Sequence, residues 1–403
     1  MYRLILKMAW KNSFLRPART LLVILMIAVS MSMMLGLQGL YDGMLKNMIE
    51  KNKRSDSGDI SLYAKEYRIE KDLKYRIKDA DAIKAEIEKV QGVKGVILRI
   101  KADGLISTAR KSSFASIYGI DLDEEEHFGK FSEFLKEGEN NLKKRGAIIG
   151  LELAKTLKVR IGSKLVFSTQ DSSGEINSIA LRIRGIVQTT NISLDNNALF
   201  VDIKHVHKFL GTTSDEVTQI AVMGEGTQIY DTLKTNYPNL DVKSFLELQP
   251  MIQQMQDMMV IFNSITFFIV MSVVFIGILG VMYVSILDRI REFGIVLGIG
   301  MQYKYIRLQI FMEAIFVGLL GYLGGAILGT VLLIYLRDYG LDLSSFSDAL
   351  EMWGYEAVIT GTIKVSYFTS TFWAIIAASC LSILIPLRKI KKLNPIEVIK
   401  AEK

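Results

Sequence analysis

The chain has 403 residues, half of them apolar, and a formal net charge of +7, which gives room for two or three domains and is too apolar for an ordinary soluble protein. The surplus charge is confined to three short stretches, +5 in residues 1–19, +2 in 288–307 and +4 in 388–403, while residues 43–256 hold 32 Lys+Arg against 30 Asp+Glu. Positive charge beside apolar runs orients membrane helices, so a basic face for nucleic acid is the weaker reading, and a single cysteine, Cys380, excludes an intrachain disulfide and a cysteine metal site.

Residues 1–19, MYRLILKMAWKNSFLRPAR, interleave Leu4, Ile5, Met8 and Trp10 with Arg3, Lys7, Lys11, Arg16 and Arg19. This predicts a basic interfacial helix, with Pro17 as a break before the first span. Thr20 to Leu40 carries no charge over 21 residues, enough helix to cross a bilayer. The run is longer than the apolar core of a signal peptide and lacks a small-x-small end, so a retained anchor, with its stalk reaching residue 45, is expected.

Residues 46–250 read as an extracytoplasmic α+β domain. DISLY (59–63), a helical pattern at Ile83, Ile87 and Val90, and VKGVILRI (93–100) form one strand-helix-strand unit. TQIAVM (218–223), a helix with Ile229 and Leu233, and LDVKSF (240–245) repeat that order. The two units, in 46–102 and 216–250, can pair as one split βαβ layer, leaving 103–215 as a strand-rich insert. Three further spans are expected: 251–287 (a stalk and the second span), 308–336 and 365–387. The charged elbow 288–307, the N-terminus and the basic tail 388–403 then share the cytoplasmic side, opposite the large domain and the acidic loop 337–364.

Chemistry-bearing motifs are scarce. GSK at 162–164 lacks the upstream glycine of a phosphate-binding loop, so ATP hydrolysis is not expected in this chain. His205 and His207 with Asp202 read as a solvated helix start, and no metal is assigned. Glu313 leads a ladder of Gly318, Gly321, Gly325 and Gly329, a smooth face for close helix packing either within one subunit or along a dimer seam. A carboxylate at that depth needs a partner, and the arginines of the elbow are expected to anchor it. Twelve of the 18 methionines fall in 26–48 and 251–282. Met44, Met48, Met251, Met255, Met258 and Met259 are candidates for a deformable substrate vestibule at the outer leaflet, with generic helix packing as the competing reading.

The segments AWKNSFLRPART, SFASIYGID, IIGLELAKTLKVRIGSKL and REFGIVLGIG, the Glu313 ladder and RKIKKLNPIEVIKA together resemble the MacB/FtsX-type ABC transporter permeases, most of all the lipoprotein-releasing (LolC/LolE-like) members. The resemblance implies an α-helical membrane protein with four transmembrane helices and a large extracytoplasmic α+β domain, its split βαβ layer porter-like and its insert sabre-like. It implies a non-catalytic subunit of the inner membrane that works by mechanotransmission and extracts lipoproteins or similar amphiphiles from the outer leaflet. Its partners would be a cytoplasmic ATPase dimer holding the ATP and Mg, a second permease subunit, and a periplasmic carrier or adaptor. Efflux of peptides or drugs, or regulation of a cell-wall hydrolase without transport, are the alternatives. Arg291, Glu292, Phe293 and Gly294, with Arg289 beside them, match the coupling-helix motif, and Asn394, Pro395, Glu397 and Val398 match the C-terminal motif. Leu297 and Gly298 depart from the basic residue and alanine common there. The link 168–178 is short and proline-free, unlike the protruding hairpin of carrier-recruiting members.

Overall fold

The computed structural model describes residues 2–189, 191–224, 227–346, 350 and 357–391; the residues of the C-terminal motif, Asn394, Pro395, Glu397 and Val398, lie outside them. The chain divides into two units, Met1–Leu45 with Gln256–Leu343 and Val358–Lys403, and Lys46–Met255 with Ser344–Ala357.

The first unit is helical. Tyr2–Ser13 forms the N-terminal helix, and four helices are long and apolar enough to cross a membrane: Pro17–Ser57, Pro250–Asp288, Tyr303–Asp338 and Val365–Arg388. Pro17 marks the break before the first span, as the sequence suggests. The break is the gap at 14–16, and Pro17 takes the first helical position, where its missing N–H costs nothing. The first span helix also runs past residue 45, to Asn52, and ends in a π-helical turn, Lys53–Ser57. The elbow 288–307 resolves into a nine-residue helix, Ile290–Gly298, and the opening turn of the third span helix. Gly300, at φ 94°, makes the bend between them in the left-handed region that glycine tolerates.

Val23, Ile27, Met31 and Leu35 of the first span helix recur at four-residue spacing and meet Ile306, Ile310, Ala314 and Val317 of the third in one core. Close approach is set by the glycine ladder: a Cβ at Gly321 would stand 2.7 Å from Ile27 and one at Gly325 2.8 Å from Met31. The second span helix is the least covered, with 22% of its most apolar window buried against 44% for the first, and Phe262, Phe268 and Ile276 are exposed.

The second unit is built on a ten-stranded sheet. Strands β1 (Ile60–Ala64), β2 (Val93–Ser107), β9 (Gln219–Gly224) and β10 (Leu240–Ser244) lie in the order β10-β1-β9-β2, all antiparallel. With the helices Ala80–Ile87 and Thr227–Asn236 they make the split βαβ layer, packed on Leu62, Ile87, Val222, Ile229 and Leu233. The insert adds β3 (Ser112–Ile120), β4 (Leu135–Gly138), β5 (Gly146–Gly150), β6 (Lys164–Gln170), β7 (Ile176–Val187) and β8 (Ala198–Asp202). The pairings β2-β3-β8-β5-β7-β6 return to β2, so six strands close into a small barrel. Ile106, Ile117, Ile149, Phe167, Ile183 and Leu199, one from each strand, belong to its core. Closure removes the exposed edges that an open insert would present.

The boundary expected at residue 102 is corrected here. β2 is continuous: Val93–Arg99 pairs with β9 and Ile100–Ser107 with β3, so the layer and the barrel share one strand. Where β2 passes between them, Arg99 is 1% exposed and donates to both Glu125 oxygens, at 2.5 and 2.7 Å, and to the Asp56 carbonyl of the π-helical turn. Lys101 lies 2.6 Å from the Asp56 carboxylate. Burial pushes the Asp56 carboxyl up, but the charges of Lys101 and Arg99 outweigh it and hold it below its ordinary value.

Candidate coupling site

Glu313 is 3% exposed, within a stretch of the third span helix otherwise free of charge from Leu308 to Leu336. A bare carboxylate there would be strongly disfavoured, and three donors meet it. Arg289 Nη1 donates to both of its oxygens at 3.1 Å, Asn12 Nδ2 at 3.1 Å and Gln309 Nε2 at 3.2 Å. The guanidinium of Arg289 also lies 5.0 Å from the Phe293 ring. One carboxylate thereby joins the N-terminal helix, the start of the elbow helix and the third span helix. A second ionic contact lies beside it, where Arg16 and Arg19 reach Asp288 at 2.6 and 2.7 Å.

The five elbow residues expected from the sequence divide by direction. Arg289, Phe293 and Gly294 face inward and are buried, so they hold the elbow helix to the membrane unit. Arg291 and Glu292 face outward, the Glu292 side chain 70% exposed, on the same helix as the exposed Ile295, with the exposed Ile299 just beyond its end. The helix therefore has a buried anchor and an open face of mixed charge and apolar surface, the composition of a docking rim around apolar contacts. Leu297 is half-buried and Gly298 exposed. The pairing of Glu313 with an elbow arginine is the one expected. Gln309 is an addition at i,i+4 on the same helix, and Asn12 and the Asp288 contacts are additions that only the packing of distant segments reveals.

The glycine ladder faces other helices of its own chain. Gly321, Gly325 and Gly329 meet Ile27, Met31 and Leu35 of the first span helix, and Gly318 meets Ser379 of the fourth. The six methionines stand differently from one another: Met48 is buried at 4%, Met44, Met255 and Met259 are half-buried, and Met251 and Met258 are exposed at 54% and 56%. His205 lies 3.5 Å from Asp202, and His207 shares a hydrogen bond with Thr212.

Residues 20–234 match the family model of the MacB-like periplasmic core domain, and residues 264–395 match that of the FtsX-like permease C-terminal region. Two curated relatives are macrolide export ATP-binding/permease proteins. The one from Pasteurella multocida is 23% identical over 86% of this chain and 53% of its own length; the one from Haemophilus ducreyi is 26% identical over 60% and 34%. The chain thus spans about half, or less, of the relatives it matches. Among solved structures, the periplasmic region of MacB from Actinobacillus actinomycetemcomitans matches 48% of this chain and 92% of that one, at 14% identity and a TM-score of 0.33. The extracellular domain of the transporter YknZ from Gram-positive bacteria matches 46% and 98%, at 14% identity and a TM-score of 0.32.

Proposed function

The chain belongs to the family of MacB/FtsX-type ABC transporter permeases, and from that premise we propose that it works by mechanotransmission, passing the motion of a separate ATPase dimer through the elbow helix to the outer domain. The observation that carries this reading is the division of the elbow helix. Arg289 and Glu313 fix it to the third span helix, while Arg291 and Ile295 are exposed and Glu292, its side chain 70% exposed, pairs only with Arg289 among the described residues, at 3.5 Å. A helix held on one side and gripped on the other transmits displacement; a loosely tethered one would absorb it. ATP and Mg are bound by the partner ATPase, a second permease subunit completes the membrane part, and the basic termini and elbow lie on the cytoplasmic side of the inner membrane.

The load is an amphiphile taken up at the outer face, with lipoproteins as the first class. Met251 and Met258 of the second span helix, the exposed members of the six methionines, offer adaptable apolar surface for it. A second reading, export of macrolide-like compounds, is favoured by the names of the curated relatives. Depleting the chain from its host and measuring two quantities separates them. Lipoproteins retained in the inner membrane support release, a rise in macrolide susceptibility alone supports export, and no change in either removes the transport assignment.

A further inference from the structure

A cavity of about 530 Å³ opens where the start of the third span helix meets the end of the fourth. Lys304 and Arg307 line it, three residues apart and so on one face of the helix. Leu308, Phe311, Cys380 and Leu384 supply its apolar wall. From Lys304 to Phe311 the helix rises about 10 Å, so the lining changes from cationic to hydrocarbon along the direction a membrane helix follows into the bilayer. Arg307 marks that transition, because from Leu308 to Leu336 the helix carries no charge but Glu313. No acid lines the cavity, and among the described residues neither cation meets a carboxylate; Lys304 only lies over the Tyr305 ring. Glu313, the one acid on this part of the helix, is already taken by Arg289.

We propose that this cavity binds an anionic phospholipid of the leaflet beside the basic termini, with the phosphate on Lys304 and Arg307 and an acyl chain along Leu308, Phe311 and Cys380. The charge order selects the occupant. A zwitterionic headgroup would bring a third cation to two that meet no carboxylate among the described residues, and a soluble phosphate would leave the apolar wall without a partner. The lipid site requires membrane insertion but stands whichever load the permease moves.

The sole cysteine of the chain lies in the cavity wall, so the unmodified protein reports on its own occupancy. The full chain is placed in phosphatidylcholine nanodiscs with or without phosphatidylglycerol, and alkylation of Cys380 by N-ethylmaleimide is timed. Phosphatidylglycerol should slow the reaction, and sn-glycerol 3-phosphate added in solution should not. In parallel, native mass spectrometry counts the retained lipid. Lys304→Gln with Arg307→Gln should lower phosphatidylglycerol retention by roughly thirtyfold, the combined effect of two interfacial cations. Lys7→Gln with Lys11→Gln, an equal loss of charge on the N-terminal helix, should leave it unchanged. Equal protection by phosphatidylcholine, protection by glycerol phosphate, or an equal loss in the control pair would each overturn the proposal. The alkylation arm needs no variant and so does not depend on how the substituted chains fold.

Discussion

Glu313 is the residue on which the elbow end of the membrane unit closes, and its energetics have a definite sign. A buried ion pair is a poor source of net stability, yet removing one member strands the other in low dielectric at a cost of about 3–5 kcal/mol. Glu313→Leu, which leaves Arg289 at 9% exposure with the exposed Glu292, at 3.5 Å, as its one carboxylate among the described residues, should lower the thermal midpoint of the detergent-solubilised chain. Adding Arg289→Leu should recover most of the loss, and additive losses would mean that the two residues act separately. The need for a partner at Glu313 was legible in the sequence, as a lone charge in an apolar run. Gln309, one turn before Glu313 on the same helix, could have been read from the spacing; that Arg289 answers it depends on how the elbow folds back, and that Asn12 joins depends on packing between residues 301 positions apart, for which no local pattern exists. Asp195 is a second informative residue. Burial raises its carboxyl to about 7, against the lowering effect of hydrogen bonds from the Thr189 N–H and hydroxyl at 2.8 and 2.9 Å. Because the folded pKa is raised, its contribution is full below about 4, where the unfolded carboxyl titrates, and is lost as pH rises through about 7. Amide exchange over Ile192–Asn197, corrected for intrinsic rates, should therefore be slower at pH 5 than at pH 8, and Asp195→Asn should remove most of that difference.

Among the elements, the contact between the first and third span helices rests on small residues. At Gly325 an added side chain meets Met31, whereas at Gly280 of the second span helix it meets nothing within 4 Å. Gly325→Leu should therefore destabilise the chain by about 1–3 kcal/mol through overpacking, and Gly280→Leu should be close to neutral; equal effects on the melting midpoint would contradict this packing. The helices were legible because uncharged runs of 20 or more residues have few other readings, and the glycine spacing marked a close face without saying which helix fills it. The split βαβ layer was legible from a strand-helix-strand order that occurs twice. The barrel was not. Its closure depends on β6 pairing with β2, with Val166 opposite Ser107, and such long-range pairing leaves no local periodicity. The boundary assigned at residue 102 fell inside one strand because β2 keeps alternating burial through Lys101, Ala102 and Asp103. A domain limit is easily read into a strand that serves two layers.

At the scale of the whole molecule, the first and second span helices are each continuous across the division between the two units, through Leu45–Lys46 and Met255–Gln256. In the outer unit, the first of them ends in the π-helical turn that Arg99 and Lys101 grip through Asp56. Arg99→Met keeps much of the side-chain volume but strands Glu125, which is 2% exposed. It should increase proteolysis around Lys53–Ser57 in the full chain, while Arg68→Met, at a more exposed pair with Asp241, should not. The elbow helix is thus anchored through Arg289 and Glu313, and the first span helix is gripped at its end through Asp56. The most direct test is the amount of load moved per ATP hydrolysed by the permease reconstituted with its ATPase, compared between the native chain and Glu292→Arg. The expected outcome is an assembled complex that still hydrolyses ATP while load per ATP falls by roughly tenfold or more, the effect of reversing one well-placed interface charge; an unchanged ratio would contradict it.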